Sequence, residues 1–267
     1  MSCARLALTG PHAAALYGLD GYRDLVWPAR YCAPLGAASR AGVVRTRWWE
    51  DPVAIGDTWV APLRLVLRHL GDDPDPRRLV GVDGHGRDDG LDVGCRVELA
   101  LEHALRSGEV RVGELRHLGG SRTAGDQLLR RLLAQRGDEP PTESYAETRA
   151  VQLLRQFGMA PWRQVPVVAG GRIAHRVDFV IPRSRGIRRP RRPELLTPAD
   201  GLLLEVDGRG VHEPQFERDH RRDSTYDALG FHWLALTASQ ILHEPSQCHA
   251  AILGAFRKAF GSRAVPC

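Results

Sequence analysis

The segment GLLLEVDGRGVH, residues 201 to 212, constrains this chain more than any other. An apolar run closes on two carboxylates two residues apart, followed by a glycine and a histidine. Such a run reads as a buried strand. Side chains alternate along a strand, so Glu205 and Asp207 project from the same face. Two acids side by side at a strand end repel each other unless a cation or a shared proton lies between them. Upstream, RVDFVIP (176–182) is a second apolar strand with its own acid, Asp178. Three carboxylates on two strands, with His212 just beyond, have the look of a divalent-metal site for hydrolytic chemistry.

The 267 residues suggest one large or two modest domains, and a 43% hydrophobic content allows a sizeable core. No run of 18 apolar residues occurs, which predicts no transmembrane helix. The N-terminal MSCARLALTGPHAAALYGL is interrupted by Gly10, Pro11 and His12 and lacks a convincing signal-peptide pattern, so a cytoplasmic protein is expected. Cys3, Cys32, Cys95, Cys248 and Cys267 are far apart and form no CxxC pair, so reduced thiols are expected rather than a zinc knuckle or disulfide framework. The net charge is +5, and the only lysine is Lys258. Arginine forks suit phosphate better than lysine point charges, so the balance permits nucleic-acid binding.

A boundary is expected near residue 138, in RGDEPPTES, separating a mixed α/β domain (1–138) from a second domain (139–267). In the first, 9–19, 62–71, 97–110 and 123–137 read as helices, with another short one starting near Val112, and 43–62 reads as strands joined by turns. The Asp-, Gly- and Pro-rich 72–92 reads as a loop. No catalytic constellation is visible in this half. In the second, the order reads as helix (144–158), two strands joined at Gly170-Gly171, a basic loop (183–200), a third strand, a polar helix (214–230), a fourth strand and a closing helix.

Carboxylate oxygens at two strand ends are hard ligands that suit Mg2+ or Mn2+. Glu147 has two readings: partner of Ser144 in a capping box, or outer ligand of the metal. His212 beside three acids suits general acid–base work; His175 is the weaker histidine, and His220 reads as solvated or paired. The loop RSRGIRRPRR supplies Arg183, Arg185, Arg188, Arg189, Arg191 and Arg192, which would hang at the site's edge and contact phosphates. Arg218 and Arg222 on the polar helix read either as a salt-bridged solvent face or as phosphate contacts.

Taken together, Ser144-to-Glu147, Gln164, RVDFVIP, LEVDGRGVH, FERDHRRD and ALGFHWLALT resemble the very-short-patch-repair-like branch of the PD-(D/E)XK restriction-endonuclease superfamily. The resemblance implies an αβββαβ core preceded by a smaller mixed α/β domain. It implies metal roles for Asp178, Glu205 and Glu147, with Asp207 and His212 supporting catalysis. The superfamily's lysine is replaced by Asp207. LTGPHAAALYGL, TWVAPLRLVLRHL and ALEHALRSGEVRVGEL more loosely resemble AbiEi-type antitoxins of bacterial abortive-infection systems, which implies a protein partner for the first half. The expectation is a magnesium-dependent DNA endonuclease with no membrane partner, RNA being an alternative substrate. The rival is a catalytically inactive DNA-binding regulator or antitoxin-like protein.

Overall fold

Apolar clusters form separately on either side of the Pro140-Pro141 segment, and the chain divides into two units, Met1–Asp138 and Glu139–Cys267. The computed structural model describes residues 6–23, 29–37, 43–47, 49–72, 91–117, 123–207, 222–262 and 266. Each unit is mixed α/β. Among the described residues, no helix is long and apolar enough to cross a membrane.

In the first unit, five short strands form a sheet in the order β3-β2-β1-β5-β4: β1 Ala7–Thr9, β2 Arg30–Pro34, β3 Val43–Thr46, β4 Val53–Ile55 and β5 Thr58–Val60. The helices are α1 Gly10–Leu16, α2 Leu63–Leu70, α3 Val93–Arg106, α4 Val112–His117 and α5 Ala124–Arg136. Asp92 and Thr123 cap α3 and α5 by accepting from Cys95 N and Asp126 N. Helix α2 is buried along most of its length, polar residues included. Its Arg68 makes a bidentate ion pair with Asp126 of α5 at 2.5 and 2.6 Å, both side chains inaccessible. The helices meet closely enough that a Cβ on Gly125 would lie 2.0 Å from the Arg68 carbonyl oxygen. Strands β1 and β2 were not expected from the sequence. At three and five residues they are too short to show a period.

Buried His69 makes the first unit acid-sensitive. Its Nδ1 lies 2.8 Å from Thr9 Oγ1, and burial, reinforced by the Arg30 and Arg68 charges, lowers its pKa to about 4. The folded pKa is below the ordinary 6.5, so the neutral ring's contribution is present above pH 6.5 and is lost as pH falls towards 4. The loss is at most about 3 kcal/mol. Urea unfolding at pH 7 and pH 4.5 should show a larger drop for the wild type than for His69→Asn. Equal drops would contradict the assignment.

The second unit begins with α6 (Tyr145–Gln156), capped by Ser144 Oγ, which accepts from Glu147 N at 3.1 Å. Strands β6 (Trp162–Ala169), β7 (Arg172–Pro182) and β8 (Gly201–Asp207) form an antiparallel meander, and β9 (Trp233–Thr237) adds parallel to β8. Gly170 and Gly171, at φ 57° and 76°, make the β6–β7 turn that a two-residue hairpin requires. Residues 222–228 are helical (α7). The expected closing helix is α9 (Pro245–Phe260); a helix not expected from the sequence, α8 (Ala238–His243), precedes it and stops where Pro245 has no N–H with which to continue it.

One face of this sheet packs Phe179, Ile181, Leu202 and Leu204 against α6, α8 and α9. The other packs Val177, Val180 and Leu203 with Tyr226, Phe231 and Leu196. Val177 and Val180 are three residues apart yet share a face, so strict alternation breaks between them, at Asp178. The β6–β7 register runs unchanged across this place, from Arg163↔Phe179 to Val165↔Val177, and shifts further on, between Val167 and Val168. Gln164, skipped in that register, has φ 49°, and no other non-glycine residue among those described is at positive φ.

Candidate active site

The β7–β8 register positions the site. It pairs Phe179 with Leu204, and one step further it sets Asp178 opposite Glu205 on β8, to which it is hydrogen-bonded. Asp178 Oδ2 also accepts from Val206 N at 2.8 Å, and Oδ1 accepts from Gln164 Nε2 at 3.4 Å. Glu205 is 3% exposed. Its Oε1 accepts from the Tyr226 hydroxyl at 2.5 Å. A positive φ at a non-glycine residue costs on the order of 1–3 kcal/mol and persists where its surroundings enforce it. Gln164 is held by two carboxylates, because the same Nε2 donates to Glu147 Oε2 at 2.8 Å.

Of the two expected roles of Glu147, the capping one is seen in part. Its backbone N–H is capped by Ser144, while its carboxylate accepts from Glu143 N at 2.8 Å rather than reaching back to Ser144. It meets Asp178 through the Gln164 amide. Asp207 lies at the open edge, where Oδ1 is 3.4 Å from Arg222 Nη2. Arg222 Nε lies 3.3 Å from Asp223 Oδ1 and 3.9 Å from Glu205 Oε1. Of the two readings of the polar helix, Arg222 therefore faces the carboxylates. His175 stands edge-on to Tyr226, ring centroids 6.0 Å apart, and burial followed by the Arg222 charge lowers its pKa. His212, Arg218 and His220 lie outside the described residues.

The arginine loop does not begin at the site's edge. Pro182 pairs with Gly201 where the loop leaves and returns, four residues from both Asp178 and Glu205, about 13 Å along the strands. It then folds back over β6: a 3-10 turn at Pro193–Leu195 seats Leu196 in the core, and Arg189 pairs with Glu139 and lies 3.5 Å from the Gln164 carbonyl. Arg183, Arg185, Arg188, Arg191 and Arg192 remain exposed.

Electrostatics distinguish the two central acids. Burial, reinforced by the Glu205 carboxylate, pushes the Asp178 carboxyl up to about 7. Burial also raises Glu205, but the Tyr226 hydroxyl and the Arg222 charge pull it back. One proton is therefore shared, with Asp178 donating to ionised Glu205. The raised Asp178 value means its contribution to stability is full below pH 4 and is lost as pH rises through 7. In EDTA at pH 8, Asp178→Asn should melt roughly 5 °C above the wild type, a gain of about 2 kcal/mol, and the gap should close at pH 4. A gap independent of pH would show that the pair does not share a proton.

Among the described residues, no group of three His, Cys, Asp and Glu side chains is arranged to hold a metal ion. Magnesium does not require three, since it takes one or two carboxylates and completes its shell with water and substrate phosphate. The Asp178–Glu205 pair fits that use, because its proton occupies a position that a divalent cation can take. No family model, curated protein or solved structure matches this chain.

Tyr226 is absent from the sequence-based reading of the site, and Gln164 entered it only within the resemblance. The signal for Tyr226 was available: it is the one aromatic among the charged residues 217–227, four positions after Arg222 and so on the same helical face.

Proposed function

We propose that residues 139–267 form a restriction-endonuclease-like, very-short-patch-repair-like domain with an αβββαβ core that hydrolyses DNA phosphodiester bonds with Mg2+ or Mn2+. The observation that carries this reading is the Asp178–Glu205 pair, a half-buried and a buried acid set opposite each other by the β7–β8 register. A fold gains little from holding two like charges together out of water, whereas a hydrolytic metal site needs such a pair. The helix–meander–helix–parallel-strand order of the unit supports the same reading.

Asp178 and Glu205 would hold the metal, with Glu147 acting through Gln164. When bound, the ion supplies a Lewis acid for the phosphoryl oxygens and lowers the pKa of coordinated water. Asp207 keeps Arg222 at the edge of the cluster, where its guanidinium can meet a phosphate. The exposed arginines of the loop hold the backbone at a distance from the carboxylates, and His212 is proposed to protonate the leaving oxygen. RNA would be handled by the same groups. The first unit is proposed to be AbiEi-antitoxin-like and to bind a protein partner. The test uses supercoiled and linear DNA with Mg2+, Mn2+ or EDTA. The expected result is nicking with either metal and none in EDTA, and intact DNA under all conditions would refute the reading.

A second reading is a DNA-binding regulator that does not cut. The Arg222 ion pairs favour it, because they offset the carboxylate charge without a metal. Its signature is salt-sensitive DNA binding that Asp178→Asn leaves unchanged, with no metal-dependent rise in melting temperature.

A further inference from the structure

Tyr226 is inaccessible, and the surroundings of its ring leave the hydroxyl a single direction. Val177, Val180, Leu203 and Phe231 pack in the same cluster, His175 stands edge-on, and the Trp233 ring is tilted at 6.3 Å. The hydroxyl meets Glu205 Oε1 at 2.5 Å, a separation characteristic of a hydroxyl donating to an ionised carboxylate. A buried tyrosine needs only some acceptor, and a backbone carbonyl would serve with less desolvation. This one donates to the carboxylate that already bears the repulsion of Asp178.

We propose that Tyr226 is the positioning residue of the site: its hydroxyl fixes the Glu205 carboxylate in orientation, and so sets the affinity for the divalent cation. The inference rests on the metal-dependent reading above. Two observations support it. Both partners of the Tyr226–Glu205 bond are buried, so the carboxylate has little freedom to turn away from the hydroxyl. Arg222 and Tyr226 also lie one helical turn apart, so one segment of α7 delivers both groups to the same carboxylate. A hydroxyl that donates to a ligand carboxylate stands to its metal as the carboxylates behind ligand histidines do. Removing such a partner typically weakens metal affinity 10–100-fold.

The test is a calorimetric Mn2+ titration of the full chain as wild type, Tyr226→Phe and Asp178→Ala, each with a melting curve in EDTA. Tyr226→Phe keeps the packed ring and removes one oxygen. Binding by the wild type, loss in Asp178→Ala and a 10–100-fold weaker Kd in Tyr226→Phe are expected. Plasmid nicking should then split: the Mn2+ concentration for half-maximal rate rises by the same factor, while the rate at saturating Mn2+ stays within about fivefold. A buried tyrosine that only packs would shift the melting curve and leave the Mn2+ dependence untouched. Wild-type Mn2+ affinity in Tyr226→Phe overturns the inference and leaves the metal site standing. No Mn2+ binding by the wild type overturns both. Should Tyr226→Phe melt below assay temperature, the titration of both proteins is repeated at a temperature where the variant is folded, and a wild-type Mn2+ affinity there overturns the inference.

Discussion

Asp178→Ala should lower metal-dependent DNA cleavage by roughly a thousandfold or more, with a melting temperature in EDTA equal to or above that of the wild type. The two halves of this expectation have the same cause. Asp178 is held opposite Glu205 by the β7–β8 register and by the Val206 and Gln164 donors, and burial beside another acid drives its carboxyl up to about 7. As pH rises through 7 the isolated protein takes on that repulsion without benefit, so removing the acid relieves the fold. A bound metal would turn the same repulsion into attraction, and losing several kcal/mol of charge stabilisation corresponds to three or more powers of ten in rate. DNA affinity should persist, because the exposed arginines 183, 185, 188, 191 and 192 keep their charge whether or not residue 178 is an acid. Plasmid nicking, filter binding and a melting curve on one preparation check all three. Cleavage within tenfold of the wild type would remove Asp178 from the site.

Gly201→Ala should destabilise the second unit by about 3 kcal/mol and abolish cleavage with it. Gly201 pairs with Pro182 at the start of β8, and a Cβ there would lie 2.3 Å from the Ile181 carbonyl oxygen and 2.9 Å from its carbon. These are backbone atoms of the neighbouring strand, so no rotamer change relieves the clash. β8 must move away from β7 or slide along it. Either displacement separates Asp178 from Glu205 four residues on, and a one-residue slip would turn Glu205 to the opposite face. Gly186→Ala is the control, since a Cβ there meets nothing within 4 Å. Urea unfolding should show the early midpoint in Gly201→Ala alone. A midpoint equal to the wild type's would mean that the sheet tolerates a side chain at the β8 entrance.

The legible parts of this fold were those with long periods or hard punctuation. Gly170-Gly171 between two apolar runs specified the β6–β7 hairpin, and GLLLEVD specified β8. Helix α6 was visible from Ser144 and Glu147, although the Glu147 carboxylate spends its bonds on Glu143 N and Gln164 rather than on a reciprocal box. Strands β1 and β2 of the first unit and helix α8 were not read, because at three to six residues each is too short to show a period. Within the site, residue type revealed the acids and not their arrangement. Asp178 stands opposite Glu205 because the β7–β8 register carries that far, and a register between strands joined by a long loop is not encoded in a one-dimensional period. The basic loop misled for a similar reason. It connects the acid-bearing strands in sequence but leaves from their far ends, and Arg189 folds back to the neighbourhood of Gln164.

The central claim is that the Asp178–Glu205 pair is a hydrolytic metal site. Its most direct test is single-turnover cleavage of an end-labelled duplex at saturating Mn2+ by the wild type and by Glu205→Gln, in preparations whose melting curves in EDTA coincide. The account predicts a wild-type rate that disappears in EDTA and falls roughly a thousandfold in the variant. A Glu205→Gln rate equal to that of the wild type, or a wild-type rate indifferent to EDTA, would contradict it.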